Sequence, residues 1–403
     1  MRGDARIADA MSHRAPTLTG PCLTRQRNIF LIVTFFYWAS LYFYVPILPV
    51  HAENVSHSLS LVGIIIASYA LPQLLLRIPI GLYFDSLTRR KPLVAGSLIL
   101  CSVGALGLAI APGPAALAIA RAATGIGASG WVVFTVFFTG YYPTDSSARA
   151  IGTINAVNQA ALVVATGSGG MVAEAAGFAA CFLIAAALAM AGLVVLLLAR
   201  EPVAPTRTQA ESTRFVSVAT HPLLVAAALM ALLLQFANFA SVFGFVPVYG
   251  SRIGASSSEL GVITMLTLGA SGIAAYVSVR LAERTGYTAA LVVGAAVLGV
   301  SLLLVPYSPT PMWLALVQFV SGFGRGMLAT LLMALSIRSA AAGTRATAMG
   351  VYQAVYAIGM IAGPVASGLI ADAVELAMVF QVSAVLSLAI GVLALLPVVR
   401  SVR

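Results

Sequence analysis

Lysine is nearly missing from this chain: Lys91 is the only one among 403 residues. Proline follows it, so no Gly-Lys-Ser/Thr phosphate loop can form, and nucleotide hydrolysis by that route is excluded. Charge of either sign is scarce, at 8% of residues, where an average soluble chain carries about 25%. So few charges cannot keep a globular surface hydrated, and the surplus apolar surface must face lipid. The three cysteines, Cys22, Cys101 and Cys181, show neither metal-ligand spacing nor a disulfide framework. The four histidines fall in the tail or in loops, and all twelve carboxylates fall in the tail, loops or the ends of apolar runs. No Asp or Glu is placed mid-membrane, which removes the group that a carrier of cations would use.

What remains is 60% hydrophobic, with a mean hydropathy of +1.00. A membrane-crossing helix needs about 20 mostly apolar residues. Twelve such runs occur, near 29–50, 61–83, 92–111, 115–140, 150–173, 178–199, 222–249, 259–280, 288–306, 311–337, 346–371 and 376–399. They do not alternate in the short segments of a β-barrel. The expected fold class is therefore an all-α membrane protein with twelve transmembrane helices.

An even number of spans puts both termini on one side. Segments on that side hold 18 of the 22 Lys and Arg residues; the opposite side holds Arg252 alone, and Arg77, Arg121 and Arg325 lie within spans. This is the positive-inside bias, so both termini are expected in the cytoplasm of an inner-membrane protein. The net charge of +10 then reflects topology and not a nucleic-acid partner. Residues 1–27 are polar and basic, without the apolar core or cleavage site of a signal peptide. They read as a disordered cytoplasmic tail, with the first span acting as an uncleaved insertion signal.

The chain also repeats itself. LAIARAATGIG at 117–127 matches LALVQFVSGFG at 314–324, an offset of 197. At an offset of 198, Gly63 matches Gly261, Asn155 matches Gln353, Gly170 matches Gly368 and Glu174 matches Asp372. Residues 28–200 and 221–403 thus read as one six-helix bundle used twice, joined by a polar linker at 201–220.

After span 2 the chain reads Gly81-Leu-Tyr-Phe-Asp85-Ser-Leu-Thr-Arg89-Arg90-Lys91. This resembles the signature loop of the major facilitator superfamily, and a degenerate copy holds Glu283 and Arg284. Span 4 carries Arg121-x-x-x-Gly125-x-Gly127, similar to a second motif of that superfamily. The resemblance implies the major facilitator fold: two pseudo-symmetric six-helix bundles that rock around a shared cavity, an arrangement for which this superfamily is itself the reference case. It also implies a look like that of bacterial efflux permeases, in which Gly81, Asp85, Arg89, Arg90, Lys91, Glu283 and Arg284 gate the cytoplasmic side. Two antiporter hallmarks are missing: span 1 has no acidic residue, and span 5 has Thr166-Gly-Ser-Gly-Gly170 without proline, Gly363-Pro364 lying in span 11 instead.

Ionisable groups inside a membrane are costly and default to functional candidates. Arg121 and Arg325 are expected to bind solute or couple protons, the alternatives being a structural ion pair or a snorkelling side chain. Arg77, late in span 2, reads as structural. Polar stripes accompany them: Asn155, Asn158 and Gln159 in span 5, Tyr352, Gln353 and Tyr356 in span 11, and Gln235 with Asn238 in span 7. These either line the cavity or bond between helices. Arginines without a buried carboxylate favour an anionic, zwitterionic or polar neutral substrate over a cation. The expected function is a secondary active transporter, read as proton-coupled efflux of a small organic solute. The alternatives are an uptake symporter for an organic anion or metabolite, and a membrane-embedded enzyme or sensor on the same fold. No cofactor or metal is expected; the expected partners are substrate, protons and lipid, around a monomer.

Overall fold

The computed structural model describes residues 21–76, 90–143, 146–202, 215–340 and 344–401. Arg77, Gly81, Asp85 and Arg89, the tail to residue 20 and the linker stretch 203–214 lie outside these described residues.

Among the described residues the secondary structure is helical throughout. Helix α1 spans Pro21–Tyr42, α2 Leu48–Ser56 and α3 Leu59–Ala67; then come α4 Lys91–Ile110, α5 Pro114–Ser129, α6 Trp131–Thr139 and α7 Ser147–Leu197. After the linker follow α8 Phe215–Ala219, α9 Pro222–Ala240, α10 Val246–Arg252, α11 Ser257–Thr285 and α12 Tyr287–Leu304. The last four are α13 Pro311–Arg338, α14 Arg345–Ala373, α15 Leu376–Leu393 and α16 Pro397–Arg400.

Sequence explains where these helices start and break. α1 begins at Pro21, inside the stretch read as tail, and ends before Pro46, which lacks the N–H that would continue the helix. Pro49 then opens α2 in its first turn, where that N–H is not needed. Pro247 acts on the second repeat differently. There α9 passes through a π-helical turn, Ser241–Phe245, and the Val246 N–H bonds back to Ser241 O. Such wide turns mark sites where a helix ladder is locally re-registered.

Ten helices among the described residues are long and apolar enough to cross a membrane. α1 is not counted with them, and one of the ten, Arg149–Leu197 in α7, is 49 residues long. At 1.5 Å per residue it would reach about 74 Å, twice a hydrocarbon core of roughly 30 Å. It breaks at Gly177, where φ is 83° and ψ is 170°, and so forms two limbs. That break falls between the runs 150–173 and 178–199 read from the sequence.

The helices pack most extensively as α1 on α7, α11 on α13 and α9 on α14, while α7 on α11 and α3 on α14 join the two repeats. These last two interfaces are built on glycine. A Cβ on Gly170 would lie 2.5 Å from Ser257 O, and one on Gly261 would lie 2.8 Å from Thr166 O. Gly63 abuts the Pro364 carbonyl and Gly368 the Leu59 carbonyl. All four contacts lie at the side opposite the termini. Elsewhere on these helices Gly152 and Gly350 have open space where a Cβ would point, and Asn155 is exposed.

The Gly177 backbone conformation is essentially glycine-only, and forcing another residue into it costs about 1–3 kcal/mol. Gly177→Ala should therefore lower the Tm of the purified protein. Gly152→Ala, which meets nothing, should leave Tm unchanged or raise it.

Candidate functional site

Arg121 sits in α5, a helix of small residues. Gly125 packs against the Tyr69 carbonyl, and a Cβ on Gly127 would lie 2.7 Å from Cys101 Sγ. That close approach places Arg121, one turn earlier, over Tyr69 with its guanidinium 4.1 Å from the ring centre; the Tyr44 ring is 5.4 Å away. Arg121 Nη1 donates to Tyr44 Oη at 3.0 Å and to Thr124 Oγ1 at 3.5 Å. The residue is only 6% exposed. Ring faces and hydroxyls here take the place of a counter-ion, since cation–π contacts strengthen once water is excluded.

The second repeat builds a different cation site. Arg325 Nη1 donates to Ser271 Oγ at 3.0 Å, and that hydroxyl donates to Gly322 O at 2.9 Å. The guanidinium lies 5.4 Å from the ring centre of Phe243, which the π-helical turn carries into this space. Phe243 and Tyr42 meet edge to face, with ring centres 5.9 Å apart. Tyr42 lies within electrostatic reach of both Arg121 and Arg325, and of Tyr356. Arg325 thus reaches toward Tyr42 of α1 through Phe243, while Arg121 is held by Tyr44 and Tyr69 of its own repeat. Among the described residues neither has a carboxylate within ion-pair distance; the one such pair is Arg252 with Glu53.

The other expected residues divide. Tyr356 joins the central cluster, and Tyr352 stands beside it at 5.5 Å between ring centres. Gln353 is half-buried on the same helix. In α7, Gln159 Nε2 lies 4.0 Å from where a Cβ on Gly272 of α11 would point, with Asn158 half-buried and Asn155 exposed. Within α9, Asn238 Nδ2 donates to Gln235 Oε1 at 2.8 Å. Arg90 and Lys91 tie the start of α4 to the end of α7. Lys91 Nζ donates to Leu197 O and Ala199 O at 3.0 and 2.7 Å, and the Arg90 N–H bonds to Glu201. A cation on the last carbonyls of a helix suits its dipole. Glu283 and Arg284 are exposed at the end of α11.

Sequence reasoning missed the contacts that close the far side. Asp372, in the last turn of α14, accepts from the Leu59 N–H at 2.9 Å, the Ser60 N–H at 2.8 Å and the Ser58 hydroxyl at 2.9 Å. It thereby caps α3 of the other repeat. Glu174, in α7, accepts from the Ser258 N–H at 2.8 Å at the start of α11. The two latches are counterparts: Glu174 and Asp372, like Ser60 and Ser258, are 198 residues apart. That offset was the available signal. Arg252 adds a 2.7 Å ion pair to Glu53 across the same seam. Nearby, His51 packs against Phe178 and Phe182, and burial lowers its pKa.

A model of the Major Facilitator Superfamily matches residues 30–258 and 229–403. The chain is 27% identical to the multi-drug resistance efflux pump PmrA homolog of Lactococcus lactis, over 75% of this chain and 78% of that protein. It is 24% identical to the multi-drug resistance efflux pump PmrA of Streptococcus pneumoniae, over 83% and 86% of the two chains. In fold it is similar to a bacterial homologue of the human lysosomal transporter Spinster, in an inward-facing and occupied conformation. There the TM-score is 0.78 at 15% identity, covering 93% of this chain and 96% of that one. The nucleoside transporter NupG aligns with a TM-score of 0.74 at 14% identity, over 92% and 98%.

Losing a helix N-cap acceptor costs about 0.5–2 kcal/mol. Asp372→Ala combined with Glu174→Ala should therefore open the far side. A Thr166→Cys reporter, at a position buried under Gly261, would read this in a background lacking Cys22, Cys101 and Cys181. Labelling by a membrane-impermeant maleimide from the far side should rise about tenfold over the same reporter with both carboxylates intact, as expected for a shift of roughly 1.4 kcal/mol.

Proposed function

The chain belongs to the major facilitator superfamily, and from that premise we propose that it is a twelve-helix exporter that moves a small organic solute across the inner membrane in exchange for protons. It is a multi-pass membrane transporter of efflux or uptake type; its family and its structural neighbours are transporters, not enzymes. Export is favoured by the relatives named multi-drug efflux pumps.

One observation carries the mechanism. The repeats are latched by carboxylates and glycines on the far side, and each carries one intramembrane arginine, Arg121 buried and Arg325 half-buried, with no carboxylate partner among the described residues. With the termini in the cytoplasm, as the charge bias favours, this is a carrier open to the cell interior. Solute enters past the span 5 and span 11 polar stripes and meets Arg121, Tyr42 and Arg325. The bundles 28–200 and 221–403, tied by the linker 201–220, then rock: the Glu174 and Asp372 latches break and the inner side closes. Gly81, Asp85 and Arg89 of the signature loop hold that inner side shut, while Arg90 and Lys91 anchor the loop's end to α7. Glu283 and Arg284 play the matching part in the second repeat. Arg121 polarises the site at which a proton exchanges for solute, and Arg325, Asn155, Asn158, Gln159 and Gln353 orient the solute. The working unit is a single chain.

A second reading, uptake of an organic anion with protons, is favoured by the two cations that lack carboxylate partners. Direction decides between them. Everted vesicles should accumulate a compound found by a thermal-shift screen when the lumen is made acidic. A protonophore should abolish the accumulation, and Arg121→Ala should reduce it at least tenfold. Accumulation driven by the opposite gradient, in right-side-out vesicles, would establish uptake instead.

A further inference from the structure

The central cluster has an uneven inventory of hydrogen-bonding groups. Arg121 and Arg325 each use Nη1 for protein hydrogen bonds, and the Nε–H of each is buried without an acceptor. Trp38, whose ring centre is 5.8 Å from that of Tyr42, likewise buries an indole N–H with no acceptor. The orphaned atoms of Arg121, Arg325 and Trp38 are all donors, and two belong to fixed positive charges; α13 also buries the unpartnered side-chain atoms of Gln318 and Ser321. A buried donor without a partner carries its full desolvation penalty, larger still for a charged group. The asymmetry between the repeats makes the same point. The counterpart of Arg121, at the offset of 197, is Gln318, and that of Arg325 is Ala128. The two charges are therefore not related to each other by the repeat. Flat aromatic faces border the same space: Tyr42, Phe243 and Trp38.

Resting on the transporter reading above, we infer that the substrate is an aromatic organic anion. Its carboxylate, sulfonate or phosphate is taken by the guanidiniums of Arg121 and Arg325, and its ring lies against Tyr42 and Phe243. The ligand supplies the negative charge and the acceptors that the protein omits. A cation brought between two guanidiniums would meet like charges in a low dielectric, where repulsion is strongest.

Three probes of matched shape test this on the purified full chain: 2-naphthoate, neutral 2-naphthamide, and the cationic (2-naphthyl)trimethylammonium. Binding is read by calorimetry and by quenching of tryptophan fluorescence. The anion should bind at least tenfold more tightly than the amide, and the cation more weakly than either. Arg121→Gln and Arg325→Gln should each cut the anion-over-amide preference to below threefold. Arg325→Lys, which keeps the charge, should retain most of it, with an unchanged Tm showing that the fold persists. Equal binding of anion and amide, tighter binding of the cation, or a preference that survives both Gln variants would overturn the inference. So would binding of none of the three. Far-side labelling of the Thr166→Cys reporter separates the two levels. If labelling still rises on removing the latches while charge preference is absent, only the anion assignment falls. If labelling never rises, the transporter reading falls with it.

Discussion

A helix that begins at a membrane surface presents N–H groups with no partner in the preceding turn. In this chain two such ends, those of α3 and α11, are closed by carboxylates from the other repeat. The rest of the architecture is arranged around that exchange. Asp372 can reach Leu59 and Ser60 only because Gly63 and Gly368 let α3 and α14 touch through their backbones. Glu174 can reach Ser258 only because Gly170 and Gly261 do the same for α7 and α11. Close approach and capping therefore form one device: a side chain at any of the four glycines would lift the carboxylate off its helix.

The gate is symmetric and the centre is not. Serines, glycines and carboxylates at the latches keep the offset of 198, whereas Arg121 faces Gln318 and Arg325 faces Ala128 across the repeat. A gate between two rocking bundles gains from two equal contacts, since unequal ones would let one side open first. A ligand has no two-fold axis to match. Its site is better served by charges placed independently on each bundle, so that one molecule is held from both sides.

Much of this was legible from local pattern. Apolar runs located the crossings, and the gap between 173 and 178 matches the break at Gly177. The cost of an intramembrane charge singled out Arg121 and Arg325. What escaped depends on contacts between distant segments: Leu59 and Asp372 are 313 residues apart, and nothing near either announces the bond. The π-helical turn also left no periodic trace, although it carries Phe243 beneath Arg325. Sequence likewise does not show that Tyr44 accepts from Arg121 while Tyr42 meets Phe243. Spacing alone also could not show that Asn238 donates to Gln235 at 2.8 Å within one helix.

A ligand shifts a two-state carrier only by the difference in its affinity for the two states. The latches set the size of that difference: two cap contacts at about 0.5–2 kcal/mol each hold the far side shut, so occupancy must favour the closed-in or outward form by a similar amount. Uncompensated guanidiniums provide the means. Arg121 is already buried under Tyr69 and Tyr44, and Arg325 is half-buried against Ser271 and Phe243, so an anion brought to either meets a charge that water screens weakly. On the proposed reading the ligand would supply the negative charge that neither arginine finds in the protein, and the conformational step would then depend on cargo.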